Sequence, residues 1–159
     1  MTASAPAPSV AEIEAQEREL VLPRLTFEDA WDLGSLLREL AVAQDAPVAI
    51  AVHRGSRLLF HTALPGSSAD NDDWIDRKRR VVERYGASSL LVGTRFRERG
   101  SSFEESSRLD PAVFAAHGGA FPLTVRDTGV VGVATVSGLP QLDDHALVVQ
   151  ALRTYLTRG

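Results

Sequence analysis

Aromatic and basic residues cluster on a helix that the sequence predicts to begin near Asn71. Trp74, Arg77 and Lys78 then fall on one side of that helix. A guanidinium can hold a carboxylate through two parallel hydrogen bonds, and an ammonium adds a point charge, so this side could bind a small carboxylate. The alternative is a surface helix with ion pairs such as Asp73–Arg77 and a packing role for Trp74.

Two adjacent glycines follow a histidine at His117-Gly118-Gly119, just before a predicted strand. Glycine permits an unusual backbone path and the close approach of a ligand, and loops of this kind commonly carry functional residues. The alternative is a tight helix-to-strand connection in which His117 is a capping residue.

A third segment, Ser137 to Gln141, leads from a strand into the start of a helix, where unpaired backbone N–H groups can receive an anion. Asp143 and Asp144 occupy the same first turn and would repel one. Gln141 and His145 share one helix face, so His145 could act as a ligand or a base, or could be a hydrogen-bonded packing residue.

The four histidines limit the metal and haem chemistry open to the chain, because it has no cysteine and only the initiator methionine. An axial haem ligand would be His53, His61, His117 or His145, with Tyr85, Tyr155 and Lys78 as less usual choices. None of them stands in a recognisable haem motif. The histidines also lack zinc-ligand spacing, so we expect no metal site. Gly-rich phosphate loops and Gly-x-Ser-x-Gly are absent from the sequence.

Composition places the chain among ordinary globular domains, with 159 residues, 44% of them hydrophobic. The net charge of -4 disfavours nucleic-acid binding and docking to an anionic membrane. No apolar run approaches the ~18 residues of a membrane span, so we expect no membrane insertion. Residues 1–10 resemble a disordered tail more than a signal peptide. We therefore expect a single domain over residues 11–159 in the cytoplasm.

Local signals predict the elements that must position these residues. A short helix and an edge strand precede Pro23. Thr26 and Asp29 form a capping box before a helix with an apolar stripe. Residues 48–52 and 58–64 form a hairpin around Gly55. Helices follow over about 71–85 and 88–99, then a polar stretch over 100–107.

A second hairpin turns at Asp127-Thr128-Gly129, and Pro140 lies near the start of the last helix. Tight hairpins indicate antiparallel pairing. The order of elements predicts an α+β fold, in which helices flank an antiparallel sheet of four or five strands.

These motifs together resemble the GlcG/HbpS-like family, often labelled "heme-degrading domain", and more closely its branch with a yeast relative. The resemblance covers about Leu20 to Leu156. It is carried by His61 with Leu64-Pro65-Gly66, Asp70-Asn71 with Trp74-Ile75 and Arg77-Lys78, Ser88-Ser89, His117-Gly118-Gly119 with Phe121-Pro122, and Val136 to Gln141 with Asp144-His145.

The resemblance implies a small antiparallel sheet with profilin-like or PAS-like layering, and assembly into homodimers or larger rings or shells. Some relatives bind haem and are linked to haem, iron or redox handling, which makes haem a candidate cofactor here. The candidate ligand-binding residues are Asn71, Trp74, Arg77, Lys78, His117, Gly118, Gly119, Ser137, Gln141 and His145.

The motifs and the resemblance support three hypotheses about function. The favoured one is an oligomeric protein that binds haem or a small carboxylate. The second is an interaction or scaffold protein, in which the motifs shape a subunit contact. The third is an enzyme that acts on a small polar metabolite, with His61, His117 or His145 as acid/base and Arg77 as the carboxylate anchor.

Overall fold

The computed structural model describes residues 6–158, which form five strands and six helices. The elements, in chain order, are α1 (Val10–Glu19), β1 (Val21–Leu22), α2 (Phe27–Ala43), β2 (Ala49–Arg54), β3 (Arg57–Ala63), α3 (Ala69–Tyr85), α4 (Ser89–Glu98), α5 (Phe103–Ser107), β4 (Ala120–Val125), β5 (Gly129–Ser137) and α6 (Gln141–Thr157).

The predicted boundary signals act as expected at several of these elements. Thr26 Oγ1 accepts the Asp29 N–H at 3.0 Å, and Asp29 Oδ2 accepts the Thr26 N–H at 2.9 Å, which completes the capping box of α2. Gly86 ends α3 with a left-handed backbone, φ 68°. Ser88 Oγ accepts the Leu91 N–H at the start of α4.

The five strands form one sheet in the order β1-β4-β5-β2-β3. The two hairpins, β2–β3 and β4–β5, join through an antiparallel β2–β5 pair. The prediction of an α+β fold with a sheet of four or five strands is confirmed, and the number of strands is five. One detail differs: β1 pairs with β4 in parallel, because α1 and β1 enter the sheet beside β4 and not through a hairpin.

Helices cover both faces of the sheet. On one face α2 and α6 enclose the main core with alternate residues of the strands, such as Ile50 and Val136. On the other face α3 packs over small residues, including Ala49, Ala51 and Ala120. Because those side chains are short, α3 lies close to the sheet, and polar groups on its inner side meet the strand ends.

Two local predictions need correction. The polar stretch over 100–107 contains a short helix, α5, which Ser102 caps by accepting the Glu105 N–H at 3.2 Å. The predicted tail also ends earlier than expected, since α1 already begins at Val10. The rest of that prediction, for residues 1–5, lies outside the described residues.

Candidate functional site

The inner side of α3 carries a buried lysine among apolar neighbours. Asn71, Ile75, Lys78 and Val82 recur at intervals of three and four residues, so they face the same way. Ile75 and Val82 pack on small sheet residues. Lys78 lies between them with only 4% of its side chain exposed. A lysine so enclosed must find hydrogen-bond partners, since burying an unpaired charge is very unfavourable.

Asp144, in the first turn of α6, is the partner of Lys78. Lys78 Nζ donates to Asp144 Oδ2 at 3.0 Å and to the Val136 carbonyl at 3.1 Å. The side chain of Asp144 is 1% exposed and also accepts the backbone N–H groups of Gly138 and Leu139. The helix start that could have received an external anion is therefore occupied by the chain's own carboxylate.

Burial shifts the proton affinities of this pair in opposite directions. Desolvation lowers the pKa of Lys78, and the charge and hydrogen bond of Asp144 oppose that shift. Desolvation likewise raises the pKa of Asp144, against the effects of Lys78 and the two backbone N–H groups. Burial therefore disfavours the charged form of each side chain, and the 3.0 Å ion pair between Nζ and Oδ2 opposes that effect in both.

A cavity of about 240 Å³ opens beside this pair at the ends of α3 and β5. It is lined by Asp70, Asn71, Trp74, Lys78, His117, Ser137, Gly138, Leu139, Gln141 and Asp144. The structure thus brings together six of the residues singled out from the sequence as ligand-binding candidates, from all three segments. This convergence of distant polar groups is typical of small-molecule sites.

Hydrogen bonds within the fold fill the side-chain acceptors of three residues of the cavity wall: Gln141, Asn71 and Asp144. Gln141 Oε1 accepts the Gly118 N–H at 3.0 Å, and Asn71 Oδ1 accepts the Ser68 N–H at 2.9 Å. Because backbone N–H groups can only donate, they fix the orientation of both amides. The carboxylate of Asp144 is likewise filled by Lys78 and two N–H groups.

Donors are left over on the same wall. Among the described residues the Gln141 amide nitrogen has no acceptor, and the Asn71 amide nitrogen has only a long 3.4 Å contact with Ser137 Oγ. Lys78 uses two of its three N–H groups within the described part of the chain. The cavity therefore presents donors to a ligand, which selects hydrogen-bond acceptors. Asp70 also lines the cavity, but it is exposed to water.

The paired glycines bring the backbone close to these groups. Gly119 has φ +135°, and a Cβ there would lie 2.4 Å from the Val136 carbonyl oxygen and 2.8 Å from Lys78 Nζ. A Cβ on Gly118 would lie 2.4 Å from the Gln141 carbonyl oxygen. Both positions therefore require glycine, because the backbone there packs closely against Val136, Lys78 and Gln141.

His117 and Trp74 stand together on the cavity wall, with ring centroids 5.4 Å apart in an edge-to-face contact. His117 is exposed as a whole residue. Partial desolvation of its ring lowers the pKa of His117; Glu104 opposes this shift, and Lys78, Arg77 and Arg97 add to it. The imidazole is thus neutral at pH 7, with one N–H to donate.

Arg77 is placed differently from the prediction. Its guanidinium stacks 4.1 Å from the centroid of Trp74 and donates twice to the Pro111 carbonyl, at 3.0 and 2.6 Å. It does not line the cavity. Adjacent helix residues point about 100° apart, and here Arg77 donates to Pro111 while Lys78 donates to Val136 and Asp144, so the two cations have separate partners. Arg77 instead fixes Trp74 and the loop at Pro111.

The other two candidate histidines lie elsewhere. His145 is 3% exposed and packs against Phe121, and its Nε2 contacts Gln16 Oε1 at 2.7 Å. Desolvation lowers the pKa of His145 to about 4, so it is a neutral packing residue. His61 contacts Asp72 Oδ1 at 2.7 Å, on the other side of α3. The three histidines therefore do not converge, and only His117 reaches the cavity.

Sequence reasoning missed Asp144 as a site residue, although it named Asp144 as a negative charge at the start of α6. The spacing to Lys78 is 66 residues, so no local pattern connects the two. Gly138 and Leu139 were also absent from the candidates. The one local signal was a carboxylate at the third or fourth position of a helix that lacks a side-chain cap.

Within residues 6–158, no group of three or more His, Cys, Asp or Glu side chains is placed to hold a metal ion. None of the helices described there has the length and apolar character needed to cross a membrane.

Comparison with protein families gives one match that covers most of the chain. The family described as "Haem degrading protein HbpS-like" matches residues 25–153. A "UPF0303 protein" from Streptomyces avermitilis is 64% identical over 158 residues, which are 99% of this chain and 97% of the relative.

Solved structures show the same fold. The "Crystal structure of Ybr137w protein" superposes with a TM-score of 0.86 at 33% identity and covers 94% of this chain and 88% of that one. The "Crystal Structure of PduOC:Heme Complex" has a TM-score of 0.68 at 18% identity, over 81% of this chain and 93% of that one. The second likeness concerns the fold alone.

Proposed function

The chain belongs to the HbpS-like family, as its motifs indicated, and from this premise we propose that it binds a small carboxylate in the cavity beside Lys78. One observation carries the proposal: the fold fills the side-chain acceptors of Asn71, Gln141 and Asp144 and leaves N–H donors of Asn71, Gln141 and Lys78 available. A carboxylate offers about four lone-pair sites and no donor, so it matches such a wall.

Among the charges that line the cavity, only the carboxylate of Asp70 opposes an anion without a counter-charge, and it is exposed to water, which screens it. Lys78 and Asp144 offset each other, and Asp144 directs its oxygens to Lys78 and to backbone N–H groups. The third N–H of Lys78, the two amide nitrogens and His117 then supply hydrogen bonds to the ligand. A hydrogen bond that involves a charged group contributes about 1.5–3 kcal/mol. Several such bonds together therefore make the binding free energy of a carboxylate favourable.

Haem, the other ligand that the family suggests, does not fit this cavity. Drug-sized ligands occupy pockets of about 300–1,000 Å³ with mainly apolar walls, whereas this cavity measures about 240 Å³ and is lined largely by polar groups. His117 is the one histidine on its wall, and that ring packs edge-on against Trp74. A titration with haemin should give no Soret shift that depends on His117.

We also propose that the chain assembles with copies of itself. Strand β3 is at an open edge of the sheet, and next to it two large aromatic residues of α2, Phe27 and Trp31, are 52% and 57% exposed. Exposed apolar groups beside an unpaired strand favour association. Trp31→Glu should lower the mass measured by light scattering; an unchanged mass would count against this face.

Isothermal titration with propionate tests the carboxylate proposal. Gln141→Glu keeps an oxygen for the Gly118 N–H and replaces the free amide donor by a negative oxygen, so affinity should fall about tenfold or more. Gln150→Glu is the matched control, since Gln150 is exposed on the same helix and accepts from Gln44; it should bind as the parent chain does. Equal affinity of the Gln141→Glu variant would contradict the proposal.

A further inference from the structure

Lys78 is the only lysine of the chain, one among seventeen lysine and arginine residues. At every other basic position the sequence has arginine, including the neighbours of Lys78 at 77, 79 and 80. The single ammonium is also nearly fully buried, on the wall of the cavity described above. The use of lysine at this one buried position indicates that the site needs a property that lysine has and arginine lacks.

Two properties distinguish the two side chains at a buried site. Arginine offers a planar fork for carboxylates but keeps its proton at any ordinary pH, whereas a buried lysine can release its proton and act as a nucleophile. An ion pair with Asp144 alone could equally use arginine, which is favoured for buried pairs. The choice of lysine points to the amine itself.

We propose that Lys78 condenses with the carbonyl group of a small 2-oxo acid and forms an imine in this cavity. The proposal rests on the carboxylate binding proposed above and names its ligand class. The donors of Asn71 and Gln141 receive the carboxylate, and the carbonyl carbon then lies beside Nζ. Lysine amines in desolvated pockets form Schiff bases with carbonyl compounds in this way.

The geometry supports the proton transfers that the step requires. Asp144 Oδ2 lies 3.0 Å from Nζ and accepts a proton from the ammonium. The neutral amine attacks the carbonyl carbon, a C–N bond forms, and the carbonyl electron pair moves to oxygen, which takes a proton from Asp144. Asp144 then transfers a second proton from nitrogen to the same oxygen, the C–O bond breaks and water leaves.

Charge is conserved through the reaction. One ammonium and one carbonyl become one protonated imine and one water, so both protons lost from Nζ leave with the oxygen. The iminium nitrogen keeps a positive charge and one N–H next to Asp144. The buried carboxylate is therefore never left without a counter-charge, which would otherwise destabilise the fold. Burial, which lowers the pKa of Lys78, favours the neutral amine that starts the step.

Reductive trapping tests the imine. The full chain is incubated with pyruvate and reduced with sodium borohydride. Intact-mass spectrometry then measures the mass of the protein, and peptide mapping locates the adduct. The expected result is a gain of one pyruvic acid less one oxygen atom, located on Lys78. The mapping is decisive, because the only other primary amine is the N-terminal one.

Each outcome bears on the proposal. An adduct on Lys78, suppressed by excess propionate, supports it. An adduct on the N-terminal amine alone would overturn the imine. Binding of pyruvate in calorimetry without any adduct would also overturn the imine, and it would leave the proposed carboxylate binding intact. Absence of binding by both pyruvate and propionate overturns both proposals. Lys78→Arg should keep a cation and lose the adduct; if that variant does not fold, the peptide map of the parent chain still decides.

Discussion

Replacing Lys78 by methionine keeps most of the side-chain length and removes the ammonium, and should destabilise the folded chain by about 3–5 kcal/mol. The structure gives the reason. Two unit charges 3.0 Å apart attract by about 5–6 kcal/mol at an effective dielectric constant of about 20. Both side chains are almost fully buried, so the methionine variant leaves Asp144 dehydrated without its counter-charge.

Urea unfolding followed by circular dichroism, at one fixed protein concentration, measures this loss. Lys78→Met combined with Asp144→Asn should be less destabilised than the sum of the two single variants, by about 2 kcal/mol, because the pair is removed together. Arg158→Met is the control: its contact with Glu39, at 3.6 Å, is exposed and should contribute less than about 0.5 kcal/mol. A loss below about 1 kcal/mol for Lys78→Met, or strict additivity, would refute the reasoning.

Three further predictions concern other parts of the fold. Burial lowers the pKa of His145 to about 4 in the folded chain, whereas an ordinary histidine has a pKa of about 6.5, so the unfolded chain binds this proton first as the pH falls. The stability that depends on neutral His145 is full above about pH 6.5 and should fall by about 3 kcal/mol towards pH 4. His145→Gln should reduce this loss in urea unfolding at a series of pH values. Gly119→Ala combines a strained φ with a Cβ 2.4 Å from the Val136 oxygen. It should lower the melting temperature more than Gly129→Ala, where φ is +112° and nothing lies within 4 Å. Equal decreases in melting temperature would contradict the packing argument. Thr26→Ala breaks the capping box of α2 and should cost about 1 kcal/mol in the same assay, whereas the exposed Thr128→Ala should cost little.

The elements that the sequence predicted well depend on neighbouring residues. The Thr26–Asp29 capping box, the turn at Gly55 and the left-handed Gly86 each act over three or four positions, so their signals can be read directly. The helix α5 carries the same kind of signal, with Ser102 three residues before Glu105, but its polar composition concealed it.

Contacts between distant segments could not be predicted in the same way. The sequence indicates that Arg77 and Lys78 are basic, yet only the packing of α3 on the sheet decides which of them turns inward. His145 looked like a ligand because it follows Gln141 at helical spacing, and its burial against Gln16 depends on α1, 129 residues away.

The sequence predicted which residues line the cavity better than it predicted which of their polar atoms are free to bind a ligand. Asn71, Trp74, Lys78, His117, Ser137 and Gln141 were named from motifs, and they do share one wall. What no motif shows is the division of hydrogen bonds, in which Ser68 and Gly118 fill the amide oxygens and leave the amide nitrogens to a ligand.

The central claim is that the amide nitrogens of Asn71 and Gln141 are free to donate to a carboxylate. The NMR signals of these two side-chain amides test it most directly. In ¹⁵N-labelled protein, propionate should shift the NH₂ resonances of both residues in a saturable way, while propylammonium, which has the same carbon chain and the opposite charge, should leave them unchanged. Shifts produced by the cation, or no shift with propionate at saturating calorimetric concentration, would contradict a donor-lined carboxylate site.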